Sequence, residues 1–172
     1  EGLFAALDEL ENKGFRFAVC TNKLEGLSLL LLEKLDMTKR FAAICGADTF
    51  GVSKPDPAIL RQTVARAGGT MPNAIMVGDA GPDVGVARRA GIPVIGVTFG
   101  YTEVPIAELK PDFVINHMRE LPGAIGALSR RAQPSQRIEK YRIFPKPPTF
   151  FSAVNLLVRS AIRAVARALG RF

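Results

Sequence analysis

Short apolar runs alternate with longer amphipathic segments along most of the chain. Each run is apolar at nearly every position, unlike a strand that faces water on one side. These runs predict five strands, at residues 15–20, 41–45, 74–77, 93–98 and 113–115. Apolar strands that alternate with helices are typical of an α/β fold, here a doubly wound parallel sheet covered on both faces.

The segments between the strands have the spacing and the end signals of helices. Leu3, Leu7 and Leu10 fall on one helical face, and the glycine at position 14 marks the end of that helix. Three more helices are predicted: residues 24–35, a helix that Asp56 caps and that ends near Gly68, and residues 83–90 before Gly91. Each of these last three helices connects two consecutive strands, as a parallel sheet requires.

The composition is that of a globular protein. The chain has 172 residues, of which 48% are hydrophobic and 23% are charged, which suits one domain with a core. Cys20 and Cys45 lie in separate apolar runs, and two such cysteines make neither a disulfide framework nor a zinc site. We therefore expect a reduced, cytoplasmic protein.

The positive charge is concentrated in one part of the chain. The net charge is +7, yet residues 130–172 alone contain ten Lys or Arg and one Glu, so that residues 1–129 are slightly acidic. A high isoelectric point that comes from one segment is weak evidence for nucleic-acid binding. Nucleic acid is therefore not an expected partner.

Polar residues stand where the predicted strands end. Thr21 and Asn22 follow the first strand, and Asp79 follows the third, in the stretch "VGDAGPD". Lys54 lies in the loop that leads away from the second strand. Because parallel strands place all their carboxyl ends at one edge, where ligands of open α/β sheets bind, these side chains should converge there.

This set of side chains fits a phosphate ester and a metal ion. The Thr21 hydroxyl, the amides near Asn22 and the Lys54 ammonium are donors for phosphate oxygens. Asp79 and Asp83 offer hard oxygen ligands of the kind that Mg²⁺ prefers. Each residue also has a structural reading: Thr-Asn as a turn, Lys54 as a solvated lysine, and the aspartates as helix-terminal residues.

Three stretches carry a resemblance to a known family. "RFAVCTN" at 16–22, "SKPDP" at 53–57 and "VGDAGPD" at 77–83 resemble the second, third and fourth motifs of the haloacid dehalogenase-like superfamily of phosphatases. Within it, "KGFRFAVCTNK", "GVSKPDPAIL" and "ARRAGIPVIGVTFGY" are most similar to phosphoglycolate phosphatases. The resemblance covers about residues 1–128.

The resemblance implies a function and a role for each residue. It implies Mg²⁺-dependent hydrolysis of a small phosphate monoester, with 2-phosphoglycolate as the first candidate substrate. Thr21, Asn22 and Lys54 would hold the phosphoryl group, with Thr21 and Lys54 as catalytic residues. Asp79 would hold Mg²⁺, and Asp83 would be its second ligand or support its waters.

One motif of the family is missing from the sequence. The resemblance implies an aspartate nucleophile in a D-x-D motif, on a strand that lies between those ending at Thr21 and Asp79. The chain contains no D-x-D and begins at Glu1, so we expect that motif and the cap segment upstream. The chain alone should then have little activity. The alternative is a non-catalytic remnant that binds a phosphate, a membrane or a partner.

The last 43 residues differ from the rest in composition. We divide the chain into a partial phosphatase core at 1–129, a basic proline-containing linker at 130–149 and a basic amphipathic helix at 150–172. Arginines recur at every fourth position of that helix, at Arg159, Arg163, Arg167 and Arg171. Such a helix fits a membrane surface or a partner's groove, or it folds back on a sheet that lacks its middle strand, or it is not a native family feature.

Overall fold

Six parallel strands form one sheet in the computed structural model, which describes residues 2–100, 102–132 and 155–158. The strands are β1 (Arg16–Cys20), β2 (Phe41–Cys45), β3 (Ala74–Gly78), β4 (Val94–Val97), β5 (Phe113–Ile115) and β6 (Asn155–Val158). Their order across the sheet is β2-β1-β6-β3-β4-β5. All five neighbouring pairs are parallel, which confirms the predicted fold class.

Within the described ranges, five α-helices cover the two faces of the sheet. They are α1 (Leu3–Asn12), α2 (Glu25–Lys34), α3 (Pro57–Arg66), α4 (Gly81–Ala90) and α5 (Leu121–Ala132). Side chains of α1, α2 and α5 pack in one core cluster with Phe17 and Val77. Side chains of α3 and α4 pack in the other with Ala18 and Met76. Because successive strand residues enter opposite clusters, these strands are apolar on both faces, apart from the exposed Arg16 at the start of β1.

The end signals read from the sequence operate as expected at several helices. Asp56 accepts a hydrogen bond from the Ala58 amide at 2.8 Å and caps α3, whose first residue is Pro57. Gly91 ends α4 with a φ of 71°, a left-handed conformation that favours glycine. The helix α5 was not predicted, and it extends to Ala132, past the predicted boundary at residue 129.

The predicted C-terminal helix is wrong at residues 155–158, which form β6. The remainder of 150–172, and the linker at 133–149, lie outside the described residues. A run as short as the three apolar residues at 156–158 fits a helix or a buried strand equally well on its pattern alone. Here it pairs with a strand on each side, so that its own backbone and the facing edges of both neighbours are hydrogen-bonded.

None of the helices within the described ranges is both long and apolar enough to cross a bilayer.

Candidate phosphate and metal site

The predicted site residues converge at the carboxyl edge of the sheet. Thr21 directly follows β1, and Asp79 directly follows β3. The Lys54 ammonium contacts the last carbonyl of β1 and the Asp83 carboxylate. Thr21, Lys54 and Asp79 are all buried, with 3–6% of their surface exposed. The structural reading of Lys54 as a solvated lysine is therefore wrong, because its ammonium is enclosed by the fold.

Lys54 and Asp83 form a fully buried ion pair at the centre of this edge. The Lys54 Nζ lies 2.5 Å from the Asp83 Oδ1, and neither side chain is exposed. The same ammonium donates to the Cys20 carbonyl at 2.7 Å, at the end of β1. Two of its three N–H donors are thus directed to the end of β1 and to the first turn of α4. The charge is held in a fixed place with little dielectric screening.

Asp83 links this lysine to the loop that carries Asp79. Its second oxygen, Oδ2, accepts from the backbone amides of Asp79 and Ala80, each at 3.2 Å. Asp83 therefore fixes the first turn of α4 and connects Lys54 to the Asp79 backbone through one carboxylate. These contacts favour a positioning role for Asp83, and its direct coordination of a metal stays a prediction.

Asn22 fixes the loop around Lys54 from the other side. Its Oδ1 accepts from the Lys54 amide at 2.8 Å, and its Nδ2 donates to the Lys54 carbonyl at 2.9 Å. This two-way bond joins the loop after β1 to the loop after β2. The Thr21 Oγ1 accepts from the Lys23 amide at 3.1 Å, a turn bond that still leaves the hydroxyl proton available to a ligand.

A further network, which the sequence reasoning missed, holds the start of α2. The Glu25 amide donates to the Asp48 Oδ1 at 2.7 Å, and the Thr49 hydroxyl donates to the Glu25 carboxylate. The Gly46 amide donates in turn to the Thr49 Oγ1 at 2.7 Å. These bonds tie the loop after β2 to the turn that carries Thr21. Residues so distant in sequence give no local signal of their pairing.

Two glycines are required next to the aspartates, and the sequence reasoning gave them no role. A Cβ built on Gly100 would lie 2.5 Å from the Asp79 Cγ, and one on Gly78 would lie 2.5 Å from the Asp83 Cγ. The backbone of each glycine therefore packs directly against a carboxylate side chain. The local signal was a glycine at the end of β3 and another in the loop after β4, since close backbone approach is a common reason for glycine.

The oxygen donors at this edge fit a Mg²⁺ site in which the protein supplies only one or two of the ligands. No cluster of three or more His, Cys, Asp or Glu that could hold a metal occurs among the described residues. Mg²⁺ often uses only one or two carboxylates and takes its other ligands from water and a substrate phosphate. Asp79, buried against Gly100, can supply one such carboxylate. When bound, the ion would neutralise charge on a phosphate ester.

The two cysteine thiols should react slowly in the folded protein. Burial raises the pKa of the Cys20 thiol to about 11, and burial also raises the pKa of Cys45. At pH 8 we expect a thiol reagent to label Cys20 roughly 100-fold more slowly than in denaturant, and Cys45 also more slowly, because little thiolate is present. Stability should also decline as the pH rises from about 8.5 towards 11, since the unfolded chain loses its thiol protons first. Equal labelling rates in the folded protein and in denaturant would contradict the expected slow reaction of these thiols.

Comparison with known proteins decides the family. The sequence model of the haloacid dehalogenase-like hydrolases matches residues 1–97, more than half of the chain. The chain belongs to the haloacid dehalogenase-like hydrolase family. It is 49% identical over 124 residues to a phosphoglycolate phosphatase of Agrobacterium fabrum, covering 72% of this chain and 53% of that protein. It is 47% identical over 120 residues to a phosphoglycolate phosphatase of Mesorhizobium japonicum, covering 70% and 53%.

Solved structures of this family share the fold. A predicted phosphoglycolate phosphatase of Haemophilus somnus matches with a TM-score of 0.68 and 27% identity, over 72% of this chain and 56% of that one. A predicted phosphatase of Clostridium acetobutylicum matches with a TM-score of 0.64 and 28% identity, over 75% and 59%. The chain spans about half the length of the curated relatives it matches.

Proposed function

We propose that this edge of the sheet binds a small phosphate monoester beside Mg²⁺, and that the protein to which it belongs hydrolyses that ester. The observation that carries the proposal is the buried connection from Lys54 through Asp83 to Asp79, beside Thr21. A buried cation held by the Cys20 carbonyl and the Asp83 carboxylate at this edge is suited to an anionic ligand. The similarity to phosphoglycolate phosphatases makes 2-phosphoglycolate the first candidate substrate.

Each residue has a defined task in this proposal. The Lys54 ammonium and the Thr21 hydroxyl stabilise the phosphoryl oxygens, and Asn22 holds the Lys54 loop in place. Asp79 coordinates Mg²⁺, and Asp83 orients both Lys54 and the Asp79 loop. The buried setting strengthens these charge interactions compared with water. Phosphoryl transfer depends mainly on such positioning and charge stabilisation.

The nucleophile for the covalent step is a separate question. No aspartate pair with the D-x-D spacing occurs in the 172 residues. The candidate site therefore supplies phosphate-binding and metal-binding groups without the family's attacking carboxylate. We propose that the complete reaction needs such a carboxylate from sequence beyond this chain.

An assay of this chain alone tests that division of tasks. With Mg²⁺ and 2-phosphoglycolate we expect release of inorganic phosphate at no more than roughly a thousandth of the rate of a family phosphatase, because the covalent intermediate cannot form. The phosphoglycolate phosphatase of Agrobacterium fabrum is the positive control. Turnover at a comparable rate would show that the chain contains its own nucleophile.

A further inference from the structure

The last strand in sequence lies in the middle of the sheet. β6 pairs with β1 through Arg16, Phe17 and Ala18, and with β3 through four register positions from Ala74 to Val77. Within the described residues, β1 and β3 share no ladder with each other. β6 is thus the only described strand that joins β2 and β1 to β3, β4 and β5 through backbone hydrogen bonds.

That division of the sheet also divides the candidate site. Thr21 and Asn22 follow β1, whereas Asp79 follows β3. Neighbouring strands lie about 5 Å apart, so one inserted strand separates the ends of β1 and β3 by about 10 Å. That spacing leaves room for a metal ion and a phosphate group between Thr21 and Asp79. If β1 and β3 closed directly on each other, the room would disappear.

The cleft between β1 and β3 is suited to an extended segment with apolar side chains. The strand residues on both sides are buried, Phe17 and Ile75 in one core cluster and Ala18 and Met76 in the other. An occupant therefore meets apolar surroundings on both faces and unpaired N–H and C=O groups on both edges. Only a strand with apolar residues at successive positions satisfies both requirements.

We propose that the gap between β1 and β3 is a strand-binding cleft and that residues 155–158 occupy it in this chain. It is the position that the family resemblance assigns to the strand with the nucleophile, whose D-x-D motif does not occur in the 172 residues. The two halves of the proposed site reach their spacing only when the cleft is filled, an inference that rests on the proposed function. Three of the four residues at 155–158, Leu156, Leu157 and Val158, are apolar at successive positions, as the cleft requires. No Asp or Glu follows this segment up to residue 172. The occupant thus completes the sheet without adding a carboxylate to the site.

Amide hydrogen exchange of the unmodified chain tests the occupant directly, without any ligand. We expect the amides of Leu156, Leu157 and Val158 to exchange at least roughly 100-fold more slowly than in an unstructured peptide, as in β1 and β3. Unprotected amides at these positions, with β1 and β3 protected, would overturn the proposal. Protection that appears only with dimer formation would overturn the assignment of the occupant to the same chain.

A proline variant tests the dependence of the site on the occupant. Leu157→Pro removes an amide donor from a central strand, and Leu169→Pro is the matched control beyond β6. We expect Leu157→Pro to increase exchange at Phe17–Val19 and Ile75–Val77 at least tenfold, and to weaken binding of inorganic phosphate by a similar factor. The β4–β5 pair should change less, and the control should leave all of these unchanged.

A milder variant covers the case in which Leu157→Pro does not fold. Leu157→Ala retains the backbone donor and lowers only the β propensity and apolar character of the strand, so we expect a smaller increase in exchange at β1 and β3, and again less change at β4 and β5. Unchanged exchange at β1 and β3 in both variants would contradict the proposal. Because exchange is measured without phosphate, this failure is distinct from failure of the proposed function.

Discussion

The Lys54→Met variant should lose about 3–5 kcal/mol of the free energy of unfolding, measured by urea denaturation. Its partner Asp83 would then be a buried carboxylate without its cation, since both side chains are fully enclosed. Asp83 would keep its bonds to the Asp79 and Ala80 amides, but these do not neutralise its charge. Phosphate binding should be lost as well, because the ammonium is the buried cation of the site.

Two further variants distinguish the loss of the buried ion pair from a general effect of removing a lysine. Lys13→Met breaks the pair with Glu9, which has the same 2.5 Å separation but is about half exposed, and should cost no more than about 1 kcal/mol. Adding Asp83→Asn to Lys54→Met should recover part of the loss, because no unpaired charge remains. Equal costs for Lys54→Met and Lys13→Met would contradict the described burial.

The Gly100→Ala variant should lose Mg²⁺ binding while remaining folded. The added methyl group would overlap the Asp79 side chain, with 2.5 Å to its Cγ, so either the carboxylate or the Gly100 backbone must move. We expect a destabilisation of about 1–3 kcal/mol and at least a tenfold loss of Mg²⁺ affinity, measured by calorimetry with phosphate present. A displacement of about 1 Å is enough to spoil octahedral coordination.

Gly81→Ala is the matched control for this glycine. It lies two residues after Asp79, at the first position of α4, and a Cβ there meets nothing within 4 Å. The same chemical change should therefore leave both stability and Mg²⁺ affinity nearly unchanged, or improve stability slightly. If Gly100→Ala binds Mg²⁺ as tightly as Gly81→Ala does, Asp79 is not the metal ligand.

Most of the sheet could be predicted because its signals are local. The predicted buried strands are runs of mainly apolar residues, and two residues mark helix ends, Asp56 through its side-chain cap and Gly91 through its left-handed backbone. The convergence of Thr21, Lys54 and Asp79 followed from topology, since parallel strands share one carboxyl edge. These predictions needed no knowledge of distant contacts.

The position of residues 155–158 could not be predicted from local pattern. Their apolar run, bordered by arginines at every fourth position further on, fits an amphipathic helix. Tertiary contacts outweigh this pattern, because a strand between β1 and β3 satisfies backbone hydrogen-bonding groups on both of its sides. Propensity and periodicity do not include that contribution.

The contacts of Asp83 and Gly100 also depend on the assembled fold. Sequence reasoning placed Asp83 beside the metal, but its two oxygens are engaged by Lys54 and by backbone amides. Gly100 comes close to Asp79 only because the loop after β4 passes over the end of β3. Neither pairing has a fixed sequence separation from which it could be read.

The most direct test of the central claim, that this edge holds a divalent cation beside a phosphate, is titration calorimetry of the unmodified chain with inorganic phosphate. We expect Mg²⁺ to tighten phosphate binding at least tenfold, since each ligand neutralises charge for the other. Asp79→Asn should abolish that enhancement, whereas Asp56→Asn, which changes only the exposed cap of α3, should retain it. Phosphate binding that is indifferent to Mg²⁺, or an enhancement that survives Asp79→Asn, would contradict the account.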